Sequence, residues 1–193
     1  MTTIKLTDAA KYYREEPHQI AAWNALQGLL TPEQVNDFAE LYRAAPAATE
    51  APLVPFTPRS PFSYRVTPHI QYGELALWSE ARRFHHQHQC NTALMLCQFI
   101  ERARAHFGGR PVIITSGYRP PKINAQVGGA SRSEHLYDAP DTGAIDWYID
   151  GVGIYTLESW VDKEWPYSCG YGAPKGFNHL GVRPGRPRVR WVY

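Results

Sequence analysis

The sequence predicts an α+β fold: a small antiparallel sheet flanked by helices, with a small N-terminal helical module ahead of it. Three observations carry this expectation. Helical spacing of apolar residues dominates the first half, and short β-branched or alternating runs dominate the second, so helices and strands come in blocks rather than in repeating β-α-β units. Six prolines (Pro46, Pro52, Pro55, Pro58, Pro61 and Pro68) interrupt regular structure between two helical regions. The 193 residues are 44% hydrophobic with six tryptophans, enough for one compact domain and a small appendage. The expected organisation is a helical module over 1–45, a proline-rich linker over 46–68 and the main domain over 69–193.

In chain order, Thr7 and Asp8 can cap a first helix whose Ile20, Trp23, Leu26 and Leu30 fall near helical spacing, with Pro17 dividing it. Thr31-Pro32-Glu33-Gln34 is a helix start, with threonine as N-cap, proline at N1 and glutamine at N3. Val35, Phe38, Leu41 and Tyr42 form the stripe of a second helix. After the prolines, Glu74–Arg83 reads as a short helical segment. A longer amphipathic helix carries Thr92, Leu94–Leu96, Phe99, Ile100 and Ala103 and ends at Gly108-Gly109. Its apolar face is expected to pack on Val112–Thr115, a β-branched run that reads as a buried strand.

Ser116-Gly117-Tyr118-Arg119-Pro120-Pro121 then breaks that strand and sends an arginine outward from its end. Gly128-Gly129 is a second break, and Trp147–Ile149 is the next strand-like run. Gly151–Gly153 turns the chain, and Thr156 can cap a short helix through Leu157, Trp160 and Val161. Gly170-Tyr171-Gly172 and Phe177–Val182 read as two strands joined by a turn over Ala173–Gly176, and Arg188–Tyr193 as a closing edge strand.

Composition narrows the function. A net charge of +2 gives no electrostatic case for nucleic acid. No run approaches the roughly 18 apolar residues of a membrane span, and MTTIKLTDAAKYY lacks the apolar core of a signal peptide. Cys90 and Cys97 lie two helical turns apart, about 10 Å, too far for a disulfide. With Cys169 they read as reduced core residues made in a reducing cytosol. Arg183, Arg186, Arg188 and Arg190 form a basic run that reads as solvated edge charge, or functionally as a surface for an anionic polymer such as a bacterial wall. His85, His86 and His88 have no acidic or cysteine partner at fitting spacing and read as polar residues at a helix start.

The chemistry is concentrated between Pro111 and Asp146. Ser133-Glu134-His135, a loop, then Gly143-Ala144-Ile145-Asp146 place a histidine and a carboxylate at strand edges, where nitrogen and oxygen can be offered to zinc. A third ligand must come from elsewhere, leaving a fourth position open. The elements Ser116-Gly117-Tyr118-Arg119, Val127 to His135, Gly143-Ala144-Ile145-Asp146 and Phe177-Asn178-His179-Leu180 occur in an order that resembles the D-Ala-D-Ala carboxypeptidase-type zinc peptidases, whose fold the hedgehog signalling domain shares. The resemblance covers roughly residues 66–193.

That resemblance implies a peptidase that cuts peptidoglycan stem or cross-link peptides, with Zn2+ held by His135, Asp146 and His179. Zinc supplies a nucleophile by lowering the pKa of water towards about 7. Arg119 would bind a peptide carboxylate or steady the developing oxyanion. Ser133 would hydrogen-bond the substrate or hold His135. The chain departs from the pattern in two places. Residues 136–145 make the gap between the first two ligands longer than in the family, which offers Asp141 as a rival; Asp146 is preferred because Gly143-Ala144 precedes it. Many relatives have a glutamate where this chain has Gly176, and others an aspartate where it has Gly181, so the general base is not named by the sequence. The rival function is a catalytically silent, zinc-holding module of the same fold that binds cell wall or a partner. A further alternative is a hydrolase of free D,D-dipeptides. With no leader sequence, the expectation is a chain made in the cytoplasm that acts on the wall, of the phage-encoded type released at lysis.

Overall fold

The computed structural model describes residues 55–185 and 188–193. The helices expected over 1–45 lie outside the described residues. Pro55 opens the compact unit that runs to Tyr193, so the domain starts earlier than residue 69. Phe56 is buried, stacking on Tyr64 at 5.3 Å and meeting Tyr72 edge-on at 5.1 Å. The second half of the supposed linker is therefore irregular but packed. Prolines forbid a helix here, yet the aromatic residues between them remain free to be buried.

Strand β1 (Arg65–Thr67) pairs antiparallel with β2 (Ile70–Gln71), which runs into the one-turn helix α1 (Tyr72–Leu75). The expected segment Glu74–Arg83 is split, because Leu77 and Trp78 both take left-handed φ values of 46° and 57°. A 3-10 turn follows over Glu80–Arg82. Helix α2 (Gln87–His106) starts where the Gln89 side chain accepts from the amides of His85 and His86 at 2.7 and 3.0 Å. It ends at Gly108 and Gly109, both at positive φ. Cys90, Ala93, Leu96, Cys97, Ile100 and Ala103 are its buried stripe, at spacings of three and four. All three cysteines are free and buried, and burial pushes the Cys90 thiol up to about 12.

Five strands form the main sheet: β3 (Val112–Ser116), β4 (Gly143–Ile149), β5 (Ser168–Tyr171), β6 (Asn178–Val182) and β7 (Arg190–Val192). Their order is β3-β4-β6-β5-β7, antiparallel except for the β5–β7 pair, which is parallel. β3 is an edge strand with Ile113 38% exposed, not a buried one. A β-branched run suits any pleated surface, so it signals a strand without saying how deep. α2 packs on β4 instead. Helix α3 (Pro121–Gln126) follows β3, and α4 (Ile154–Glu164) begins after Gly153, earlier than the Thr156 cap expected.

Period-2 alternation sorts the central strands into two faces. Ile145, Trp147, Ile149, Cys169, Leu180 and Val182 join the core with Leu96, Ile100, Leu157 and Val161. The opposite face carries Ala144 and Asp146 on β4, His179 and Gly181 on β6, and Ser168 and Gly170 on β5, as the strand registers require.

Candidate metal centre

Asp146 and His179 are direct cross-strand partners, so their side chains rise side by side from the face away from the core. Asp146 Oδ1 lies 2.7 Å from His179 Nδ1. His135 arrives from a 3-10 turn, Glu134–Leu136, whose N-cap Ser133 accepts from the His135 amide at 3.3 Å. Two further bonds fix that turn to the loop after β3. The Arg119 amide donates to the His135 carbonyl at 2.8 Å, and His135 Nδ1 lies 2.7 Å from the Gly117 carbonyl. His135 Nε2 then faces Asp146 Oδ2 at 3.1 Å. One donor atom from each of His135, Asp146 and His179 lies within 4.8 Å of the others, and all three residues are buried.

A carbonyl only accepts, so His135 Nδ1 must carry the ring proton and Nε2 a lone pair. Burial pulls the His135 pKa down, against the pull of Asp146, which keeps the ring neutral. Burial opposes ionisation of Asp146, but His135 and His179 outweigh it and hold the carboxyl well below its ordinary value. Two lone pairs thus confront each other at 3.1 Å, and His135 Nε2 has no hydrogen-bond partner. That contact is repulsive unless a cation lies between the atoms. Zinc with legs of about 2.0–2.1 Å sets tetrahedral edges near 3.3 Å, close to the 3.1 Å between these two atoms. The residues fit that metal. Burial lowers the His179 pKa, but hydrogen bonds to Asp146 and Glu134 outweigh it and the net shift is upward.

A cavity of about 780 Å³ opens beside these residues, lined by Arg119, Ser133, Glu134, His179, Trp191 and Tyr193 among others. Arg119 is half-buried, and its Nε has no partner within the protein. Burial draws its pKa down while Asp146 works against that. Arg132, Lys175 and Arg183 line the same cavity, so its walls are strongly cationic. Of the described residues of the basic run, only Arg183 faces this space; Arg186 lies outside the described residues. Arg190 Nε and Arg188 instead bind Asp162 Oδ1 at 2.5 and 3.3 Å, tying β7 to α4. Asp141 is exposed at φ 55° and stands apart from the triad. His85, His86 and His88, around the start of α2, do not form a ligand cluster; His88 Nε2 lies 3.2 Å from the Tyr137 carbonyl.

Sequence reasoning missed Glu134, Trp191 and Tyr193. Glu134 stands beside a singled-out histidine, but nothing in the spacing shows its side chain reaching His179 Nε2 at 3.1 Å. Trp191 packs 5.0 Å and Tyr193 5.9 Å from the His179 ring, an arrangement that follows from the parallel β5–β7 pairing. Burial, then the charge of Asp146, raises the Tyr193 phenol, so it stays protonated.

The sequence model of the family described as Peptidase M15 matches residues 68–181, more than half of the chain. No curated protein matches it.

Proposed function

The chain belongs to the Peptidase M15 family, and from that premise we propose that it is a zinc-dependent hydrolase of peptidoglycan stem or cross-link peptides. The observation that supports this most directly is the buried His135–Asp146–His179 cluster, with an unpaired imidazole nitrogen facing a carboxylate at 3.1 Å. When bound, zinc supplies Lewis acidity and an activated water at neutral pH. The chain's own residues do the rest. Gly117 and Ser133 fix the tautomer and the turn of His135, so its lone pair points at the metal position. Arg119 lines the cavity with its Nε unpartnered, and its guanidinium would bind a substrate carboxylate or offset negative charge as a carbonyl carbon becomes tetrahedral. The Tyr193 phenol is a second, neutral donor near the same space. The four cationic side chains suit a substrate rich in carboxylates, as stem peptides are.

Glu134 is the one carboxylate among the described cavity-lining residues apart from the cluster itself, and it is engaged with His179 and Ser168. The absence of acidic side chains at Gly176 and Gly181 therefore favours, as a second reading, a silent module that binds the same peptides. Defined muropeptides incubated with the protein, with and without a chelator, separate the two. Chelator-sensitive release of new amino termini supports hydrolysis, whereas saturable binding without cleavage overturns it in favour of the module. Cleavage of free D-Ala-D-Ala but not of sacculi would move the activity to free dipeptides. No helix among the described residues is long and apolar enough to cross a membrane.

A further inference from the structure

We infer that Glu134 is the positioning residue for His179: it fixes which ring nitrogen faces the metal position, and it does so from a niche that Gly181 keeps open. The inference rests on the reading of the buried cluster as a zinc site. His179 has a carboxylate at each nitrogen, Asp146 Oδ1 at 2.7 Å from Nδ1 and Glu134 Oε2 at 3.1 Å from Nε2. Asp146 also reaches His135, so the Nδ1 side is the metal side. Nε2 then carries the proton and donates to Glu134. A metal-bound imidazole whose other N–H is held by a carboxylate has a fixed tautomer, a fixed ring rotation and a more basic ligand nitrogen.

The niche is built for this carboxylate. Ser168 and Gly181 are cross-strand partners on β5 and β6, directly beneath it. Ser168 Oγ donates to Glu134 Oε1 at 2.8 Å, while Arg183 Nε lies 3.8 Å from the same oxygen. A Cβ at position 181 would lie 2.0 Å from Glu134 Oε2 and 2.8 Å from Ser168 Oγ. The Glu134 carboxylate thus occupies the volume that any side chain at 181 would need. Position 181 stands two residues after His179 on the same strand face, so a short acidic side chain there would point at the same ring. The two placements exclude each other, and this chain uses the one from the turn.

The test measures zinc affinity by chelator competition on the full chain, with the apo melting temperature taken alongside. Glu134→Ala should bind zinc about 10–100-fold more weakly than wild type. Glu134→Gln keeps an acceptor facing Nε2–H without the charge, and should fall between the two. Gly181→Asp alone should weaken zinc binding, since it displaces Glu134. The double variant Glu134→Ala/Gly181→Asp should recover most of the affinity lost in Glu134→Ala, which a merely structural role for Glu134 would not produce. Wild-type affinity in Glu134→Ala, or no recovery in a folded double variant, overturns the inference. If Glu134→Ala does not fold, Glu134→Gln decides, and wild-type affinity there refutes it. A wild-type protein that binds no zinc refutes the metal centre itself, which is a separate outcome.

Discussion

Gly117→Ala tests whether the metal centre depends on the small β1–β2–α1 unit that packs behind it. A Cβ at 117 would lie 2.2 Å from the Leu75 carbonyl oxygen and 2.9 Å from its carbon. Ordinary non-bonded contact needs about 3.5 Å, so backbone must yield by about 1 Å on one side. Leu75 belongs to α1 and its carbonyl accepts from the Tyr118 amide at 3.2 Å, while the Gly117 carbonyl holds His135 Nδ1 at 2.7 Å. The clash therefore disturbs both bonds. Overpacking of this kind costs about 1–3 kcal/mol. At about 4 °C per kcal/mol, the melting temperature should fall by about 4–12 °C. Loosening His135 should weaken zinc binding about 10–100-fold. Gly108→Ala is the control. Gly108 sits at φ 79° with nothing within 4 Å of its missing Cβ, so it should lose about 1–2 kcal/mol from strain and keep its zinc affinity. Melting curves and chelator competition on both variants read the two effects. If Gly117→Ala retains wild-type zinc affinity, the Gly117 carbonyl does not position His135 and the reasoning fails.

His135→Ala and Asp146→Ala should each lose stoichiometric zinc by metal analysis after dialysis, and Asp141→Ala should keep it; a metal-free Asp141→Ala would reverse the assignment. Arg119→Ala should lower kcat/KM on muropeptides about 10²–10³-fold with zinc content unchanged, and a parallel loss of zinc would make Arg119 structural. Asp162 is held below its ordinary pKa, chiefly by the hydrogen bond from Arg190. Since the folded value is the lower one, its contribution is present above the unfolded value of about 3.9 and lost as pH falls through the folded value. Hydrogen exchange at the β7 amides should therefore accelerate as pH drops below about 4, relative to the intrinsic rate, and Asp162→Asn should show faster β7 exchange already at neutral pH.

Much of the fold was legible because local rules and the global fold agree. The helix carrying Thr92, Leu96, Phe99, Ile100 and Ala103 reads from spacing alone, although Leu94 and Met95, read into the same stripe, are only half-buried, and Asp146 and His179 lie on strands that alternate. What failed to show was depth and partnership. Val112–Ser116 carries the same β-branched signal at a sheet edge as it would at the centre. The stretch from Pro55 to Pro68 reads as linker because proline bars regular structure, yet Phe56 is buried and Tyr64 half-buried ahead of β1. The cavity wall was legible only in part: Arg119 follows a strand break, but Trp191 and Tyr193 reach His179 through a parallel pairing between β5 and β7 that no local pattern encodes.

The small residues around His179 explain how five short strands can carry a buried polar cluster. On the face away from the core, His179 has Asp146 on one side and Gly170 on the other, with Gly181 two residues along its own strand and Ser168 opposite that. A Cβ at Gly170 would lie 2.5 Å from the Tyr193 ring and 2.8 Å from Trp191, just as one at Gly181 would meet Glu134. The sheet itself thus provides two ligands and two vacancies. The vacancies admit side chains from the Glu134 turn and from β7, which cover the histidine on the face away from the core. A polar group buried under one layer of chain must be held by neighbours that come from elsewhere; the glycines at 170 and 181 are what let those neighbours approach, so they belong to the site as much as the ligands do.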